Sequence, residues 1–318
     1  GNNDSNAIDG GSGDDRLNGR GGVDWLDGGA GHDVAEYSDD AMGVEVSLDG
    51  WVGNEGGLPA GWTGSARDGE GHIDLLRKLE AIRGTGFADH LRGNGGDNRL
   101  DGRGGFDTLD GGEGSDWAEY SAATQDVQVD LALGFAFDDG QQAGDGAAGS
   151  PAVRDVLISI ENVLGGLGND RLAGSAVANV LDGGPGGDTL MGGAGDDQLI
   201  GGAGVDTAVY TSKRSEYAVV LTSTGLQVSH VGGGDGVDNL VGVEQLLFAD
   251  GAAALPKLSL ALRSDTGMSN ADGLTNDGTV LIGGLADGVA WQYTFDGGLV
   301  WQAGTGLSFM LEPGDHAM

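Results

Sequence analysis

In three stretches of this chain an apolar residue returns every ninth position, two places after an Asp or Asn and seven after a glycine. The clearest copy is Gly192-Gly193-Ala194-Gly195-Asp196-Asp197-Gln198-Leu199-Ile200, and Gly201-Gly202-Ala203-Gly204-Val205-Asp206 continues in register. That period is neither the 3.6 of an amphipathic helix nor the 2 of an isolated half-buried strand. It predicts a glycine-rich turn, a carboxylate, and a short strand burying position eight, stacked on its neighbours as a solenoid.

The units form three blocks. The first begins at Gly1, Gly10, Gly19 and Gly28; the second at Gly84, Gly93, Gly102 and Gly111; the third at Gly165, Gly174, Gly183, Gly192 and Gly201. Position six reads Asn6, Asp15, Asp24, Asp33, then Asp89, Asn98, Asp107, Asp116, then Asp170, Asn179, Asp188, Asp197, Asp206. Position eight is apolar in every unit, and the last unit of each block carries alanine there: Ala35, Ala118 and Ala208. Two units are expected to make one coil of 18 residues, with a strand on each face. Because Gly1 to Asp9 already fit the register, the array is expected to continue upstream.

A longer repeat overlies the blocks. Each block is followed by Tyr37, Tyr120 or Tyr210, then by an alternating run: Val44, Val46, Leu48; Val127, Val129, Leu131; Tyr217, Val219, Leu221. A second signature then places Asp74, Asp155 and Asp238 six residues before Glu80, Glu161 and Glu244. Alone, residues 74–82 could form a short helix with Leu75, Leu79 and Ile82 on one face. The sister segment 155–163 is rich in Val and Ile, and the third contains Gly242. All three are therefore predicted as strands returning the chain to the solenoid. Residues 50–70 and 134–152 read as excursions or hairpin loops, with Trp51 and Trp62 folding the first of them onto the roll.

The pattern stops near residue 250. Residues 251–257 read as a linker, and 258–318 as short alternating segments with hairpin turns at Asn276-Asp277-Gly278 and Asp296-Gly297-Gly298. Strands are expected near 279–282, 290–295, 299–302 and 308–311, as in a β-sandwich cut short.

Composition sharpens this picture. Among 318 residues there are 67 glycines and 6% aromatics, too much turn and too little bulk for an ordinary core. Fifty acidic against fifteen basic residues give a net charge of -35, which disfavours nucleic acid as a partner. Such a chain is either disordered or held by cations, and the strict phase argues for the second. With no cysteine, disulfides and thiolate metal sites are excluded. No apolar run reaches the ~18 residues of a membrane helix, and no amino-terminal signal peptide is visible.

The chemistry that suits a glycine loop ending in Asp is calcium binding. Calcium takes six to eight oxygens in irregular geometry, and glycines let consecutive carbonyls turn toward one point. The units resemble the calcium-binding repeats of the RTX (repeats-in-toxin, hemolysin-type) family, Gly-Gly-Xaa-Gly-Xaa-Asp-Xaa-aliphatic-Xaa, across residues 1 to about 250. The resemblance implies an all-β parallel β-roll, export by a type I secretion apparatus, and folding in extracellular calcium. It makes the position-six residues above the ligands, joined by carbonyls at positions one, three and five. In this chain those carbonyls are Gly10, Ser12, Asp14, Gly28, Ala30, His32, Gly183, Gly192, Ala194 and Asp196. Roughly seven or more ions are expected, with weaker or purely structural sites at the uncharged Asn6, Asn98 and Asn179.

The tail resembles bacterial Ig-like domains of tandem adhesin arrays, on Asp265-Thr266-Gly267, Asp272-Gly273-Leu274-Thr275-Asn276, Trp291 to Gly298 and Trp301. Asp265 or Asp272 would be the candidate junctional calcium ligand, or else a turn-forming residue. Signals of catalysis fail. Gly144-Asp145-Gly146-Ala147-Ala148-Gly149 lacks the flanking strand and helix of a dinucleotide site. The five histidines are scattered, and no Gly-Xaa-Ser-Xaa-Gly elbow occurs. The sequence thus predicts a non-catalytic calcium-binding region of a large secreted or surface bacterial protein. An adhesin with a host or biofilm ligand is one reading. The alternative is the calcium and secretion module of an exported protease, lipase or epimerase.

Overall fold

The computed structural model describes residues 1–53, 57–137, 154–222 and 225–253, together with the backbone of five strands after residue 258. Position eight decides the architecture. Leu17, Leu26, Leu91, Leu100, Leu109, Leu172, Leu181, Leu190 and Leu199 are all at most 2% exposed. They point between two sheets, while their neighbours at positions seven and nine face outward, as in Gln198–Ile200. Successive units send their strands to opposite sheets. Each strand therefore pairs in parallel with the one 18 residues on: Leu172 lies beside Leu190, and Leu181 beside Leu199. The coil of two units expected from the period is the unit of the fold.

The three blocks form one uninterrupted stack rather than separate rolls. Trp25–Ala30 of the first block pairs in parallel with Ile73–Arg77, and Val34–Glu36 with Ala81–Arg83. Ala81–Arg83 then pairs with Arg99–Asp101 of the second block. Arg154–Ile158 and Asn162–Leu164 continue the second block in the same way. The strand reading of 74–82 and 155–163 holds, and the helical alternative does not. Leu76, Ile82, Leu157, Val163, Leu240 and Leu246 extend the buried column.

The linking segments add antiparallel pairing to the parallel roll of the blocks. Each inserts a hairpin into a sheet, so both sheets are mixed. Glu45–Ser47 and Gly64–Arg67 pair antiparallel, and Gly64–Arg67 pairs antiparallel with Ile73–Arg77. Glu45–Ser47 then resumes parallel pairing with His90–Arg92. Gln128–Asp130 and Phe135–Phe137 repeat the arrangement. The third hairpin, Tyr217–Leu221 with Leu226–His230, lies in the other sheet, against Val237–Val241. Parity explains the switch. The first two blocks have four units and the third has five, so the chain leaves it on the opposite face. Within the excursion that begins at residue 50, the Arg77 guanidinium lies 4.8 Å over the Trp62 ring, which seats that loop on the sheet.

The roll runs slightly past its predicted end. Gly251–Ala253, read from sequence as the start of a linker, pairs antiparallel with Gln245–Phe248. Among the described residues a single 3-10 turn, Arg214–Glu216, interrupts the strands. Farther on, Ser259–Leu262, Thr279–Gly283 and Ser308–Met310 make one antiparallel sheet, and Trp291–Tyr293 with Gln302–Gly304 another. The turns expected at 276–278 and 296–298, and the candidates Asp265 and Asp272, lie outside the described residues. No helix among the described residues is long and apolar enough to cross a membrane.

Candidate metal centres along the two edges of the roll

Stacking at an 18-residue offset brings the position-six side chains into two columns, one along each edge. Oδ1 of each inner Asp accepts the backbone N–H of the position-six residue one coil earlier. On one edge Asp24 takes the N–H of Asn6 at 2.7 Å, and Asp206 that of Asp188 at 2.7 Å. On the other, Asp33 takes Asp15 at 2.8 Å, Asp116 takes Asn98 at 2.7 Å, and Asp197 takes Asn179 at 2.8 Å. Asp107 and Asp188 do the same for Asp89 and Asp170. One carboxylate oxygen is thus spent on holding the stack.

The other oxygen separates twelve of the thirteen predicted ligands into two groups. Oδ2 of Asp15, Asp24, Asp33, Asp116, Asp188, Asp197 and Asp206 is buried without a hydrogen-bond partner. Burying a carboxylate oxygen unpaired is costly unless a cation meets it. At Asn6, Asp89, Asn98, Asp170 and Asn179 the side chain instead closes its own loop. It takes the N–H of Asn2, Thr85, Asn94, Gly166 and Ser175 respectively. The asparagines also have a reason to be amides. Nδ2 of Asn98 donates to the Glu80 carbonyl at 3.1 Å, and Nδ2 of Asn179 to the Glu161 carbonyl at 2.7 Å. A carboxylate could not make either bond.

The position-one glycine borders the position-six side chain of its own unit. A methyl group built on Gly10 would stand 2.5 Å from the Gly28 carbonyl and 2.9 Å from Asp15 Oδ2. Only glycine fits, and a carboxylate and the next coil's carbonyl are left facing one gap. Gly165 and Gly174 face the Gly183 and Gly192 carbonyls in the same way, beside Asp170 and Asn179. Gly193 and Gly195, at φ +102 and +117, supply the left-handed turn of the loop that follows.

Several of the residues predicted to ligate through their carbonyls also make bonds between coils. Ser12 belongs to the strand Ala7–Ser12 and lies beside Ala30, whose carbonyl accepts the Gly13 N–H at 2.9 Å. Asp14 and Asp196 act through their side chains, taking the N–H groups of His32 and Val237 at 2.9 Å. Ala194 donates its N–H to the Ser175 carbonyl. Among the described residues no three acidic or histidine side chains converge as a metal cluster. An ion here would draw on backbone carbonyls as well as carboxylates. An all-oxygen, mixed and irregular set of this kind suits calcium.

Sequence reading left Asp74, Asp155, Asp238, Glu80, Glu161, Glu244 and the three tyrosines without roles. In the structure they stand in for position six where the chain leaves a block. Asp74, Asp155 and Asp238 take the N–H of Asp24, Asp107 and Asp197. Glu80, Glu161 and Glu244 take the N–H of Asp33, Asp116 and Asp206. The Tyr37 and Tyr120 hydroxyls donate to Oδ2 of Asp74 and Asp155 at 3.2 Å, and Tyr210 is the phenol beside Asp238. The signal was available: each Asp and Glu precedes a buried apolar residue by two, as position six precedes position eight.

Burial pushes the carboxyls of Asp116, Asp188 and Asp197 up to about 6, from an ordinary value of 3.8. In the absence of cation, the roll then holds protons that the unfolded chain has already released. Stability must fall as pH rises through 6 and be regained as pH drops toward 4. In chelator, circular dichroism should therefore show more β-structure at pH 4.5 than at pH 7.5, and the opposite slope would contradict the burial of these groups.

Asp197→Ala removes both the Asn179 bond and the orphaned oxygen. In calcium it should cost about 2–4 kcal/mol. Asp39→Ala, at an exposed position outside every unit, should cost under about 0.5 kcal/mol. Denaturant titration of the two proteins checks this. Equal effects would mean that net charge, not edge geometry, governs stability.

Four segments, residues 1–35, 83–118, 164–199 and 173–208, match the family model of the RTX calcium-binding nonapeptide repeat. No curated protein matches the chain.

Proposed function

We propose that this chain is a non-catalytic calcium-binding region of a large exported bacterial protein, folding when it meets extracellular calcium. The observation that carries the reading is the pair of columns of buried carboxylate oxygens without hydrogen-bond partners, each beside a glycine that only a missing Cβ allows. The four matches to the calcium-binding repeat support it from sequence. In the cell, micromolar or lower calcium leaves such a chain extended and exportable by a type I apparatus. Outside, the ion supplies the cohesion that a thin core cannot. Chelator-reversible calcium uptake tests this reading, and a chain that takes up none contradicts it.

Within that reading we favour an adhesin. The segment after residue 258 resembles Ig-like domains of adhesin arrays in sequence, and its described strands pair antiparallel. The module of an exported enzyme has no need of such a segment. The sequence upstream of Gly1 decides between them: a catalytic domain there overturns the adhesin.

A further inference from the structure

We propose that Glu80, Glu161 and Glu244, which lie outside every nonapeptide unit, each complete a calcium site with the last aspartate of the preceding block, Asp33, Asp116 or Asp206. The proposal rests on the calcium reading of the edges and extends it into the linking segments.

Three independent copies carry the same geometry. In each, one Glu oxygen accepts the N–H of the block's last aspartate, at 2.9 Å for Asp33, 3.0 Å for Asp116 and 2.9 Å for Asp206. Those aspartates are 0% exposed, and their Oδ2 atoms have no hydrogen-bond partner. Two residues before each Glu, the chain takes a left-handed turn at Lys78, Ser159 and Gly242, with φ of 52, 49 and 64. The turn brings the carbonyls of these residues against Gly28, Gly111 and Gly201. A methyl built on those glycines would also stand 2.7, 2.5 and 2.6 Å from Oδ2 of Asp33, Asp116 and Asp206. This is the arrangement inside a block, where Gly10 faces the Gly28 carbonyl and Asp15 Oδ2. The linking segment thus reproduces the carbonyl and the carboxylate of a missing unit.

The charges around these positions call for a cation. The Lys78 ammonium is engaged with Asp27 at 3.2 Å rather than with Glu80. Burial raises Asp116 and Asp206, and the facing Glu161 and Glu244 carboxylates push in the same direction.

The aspartate of the same linking segment ends differently. Asp74 spends one oxygen on the Asp24 N–H and the other on the Tyr37 hydroxyl, so a phenol proton fills the place of an ion. Asp155 and Tyr120 repeat the pair. In the first two blocks the linking aspartate thus has both oxygens engaged, whereas the linking glutamate keeps one for a cation.

Counting bound calcium on the full chain by equilibrium dialysis tests this. Glutamine keeps an oxygen for the N–H, so E80Q, E161Q and E244Q preserve the ladder while removing the charge. Each should bind one ion fewer than the parent, the triple variant three fewer, and D74N the same number as the parent. Glutamine variants that retain the full count would overturn the proposal while leaving the calcium reading intact. A parent chain that takes up no calcium would overturn both. Should E161Q, in the middle of the stack, fail to fold, E244Q on the last coil decides the matter, since loss of its rung leaves the coils before it in place.

Discussion

Stripped of calcium by a chelator, residues 1–253 should lose their β-sheet signal, and millimolar calcium should restore it cooperatively. The roll has little else to hold it. Its core is narrow: in the blocks one buried residue per strand, mostly leucine, joined by Val, Ile, Tyr and Phe from the linking segments. Against this stand a net charge of -35 and, at position six alone, seven buried carboxylate oxygens without hydrogen-bond partners. Extracellular calcium modules bind at about 10⁻⁴–10⁻³ M. At tenfold over the dissociation constant each ion adds about 1.4 kcal/mol, so seven give ~10 kcal/mol, the whole stability of a typical domain. Circular dichroism in chelator and in calcium measures the difference directly. A spectrum that does not change would remove calcium from the folding of this chain.

The same ions explain why the repeat can do without bulk. A coil of 18 residues places only three per unit in a strand, so about two thirds of it lies in glycine-rich edge loops with little bulk to pack. The ladder of aspartate Oδ1 atoms fixes one coil on the next, but by itself it makes the second oxygen a liability. Fold and proposed site are therefore one structure: the bond that sets the register also places the oxygen proposed as a ligand.

This is why so much was legible in the sequence. Asp at six and Leu at eight fix the edge and the core together, so reading Asp197 and Leu199 was reading both. The linking segments were harder. Asp74 and Glu80 satisfy the rule that position six precedes a buried residue by two, but without the glycines that advertise it. Their partners come from 50 and 47 residues earlier, across a hairpin whose length the period does not specify. Tyr37 was visible as a recurring residue, yet its bond to Asp74 crosses between the sheets and leaves no spacing to read. The sheet chosen by the third hairpin followed from counting five units rather than four. The asparagines were seen as losses of charge, and only the carbonyls of Glu80 and Glu161 show them to be donors.

Calcium and no other common cation should fold the roll. At a charge of -35 any electrolyte relieves self-repulsion, and 1 M sodium chloride shortens the screening length to ~3 Å. Screening acts on exposed charge. It does little for Oδ2 of Asp197 or Asp206, which are at most 1% exposed and reach no solvent ion atmosphere. What they need is a cation that gives up its water and accepts carbonyls and carboxylates at uneven distances. Magnesium demands six oxygens near ~2.1 Å in octahedral array and dehydrates reluctantly. The gaps beside Gly10, Gly111 and Gly201 offer a carboxylate on one side and a carbonyl on the other, set by coil spacing rather than by an octahedron. Millimolar calcium should thus give a cooperative transition in calorimetry, while tenfold more magnesium, or 1 M sodium chloride, leaves hydrogen exchange fast throughout residues 1–253. If magnesium folds the chain as well as calcium does, the edges are merely acidic, and a switch thrown by the calcium difference between cytosol and medium is lost with them.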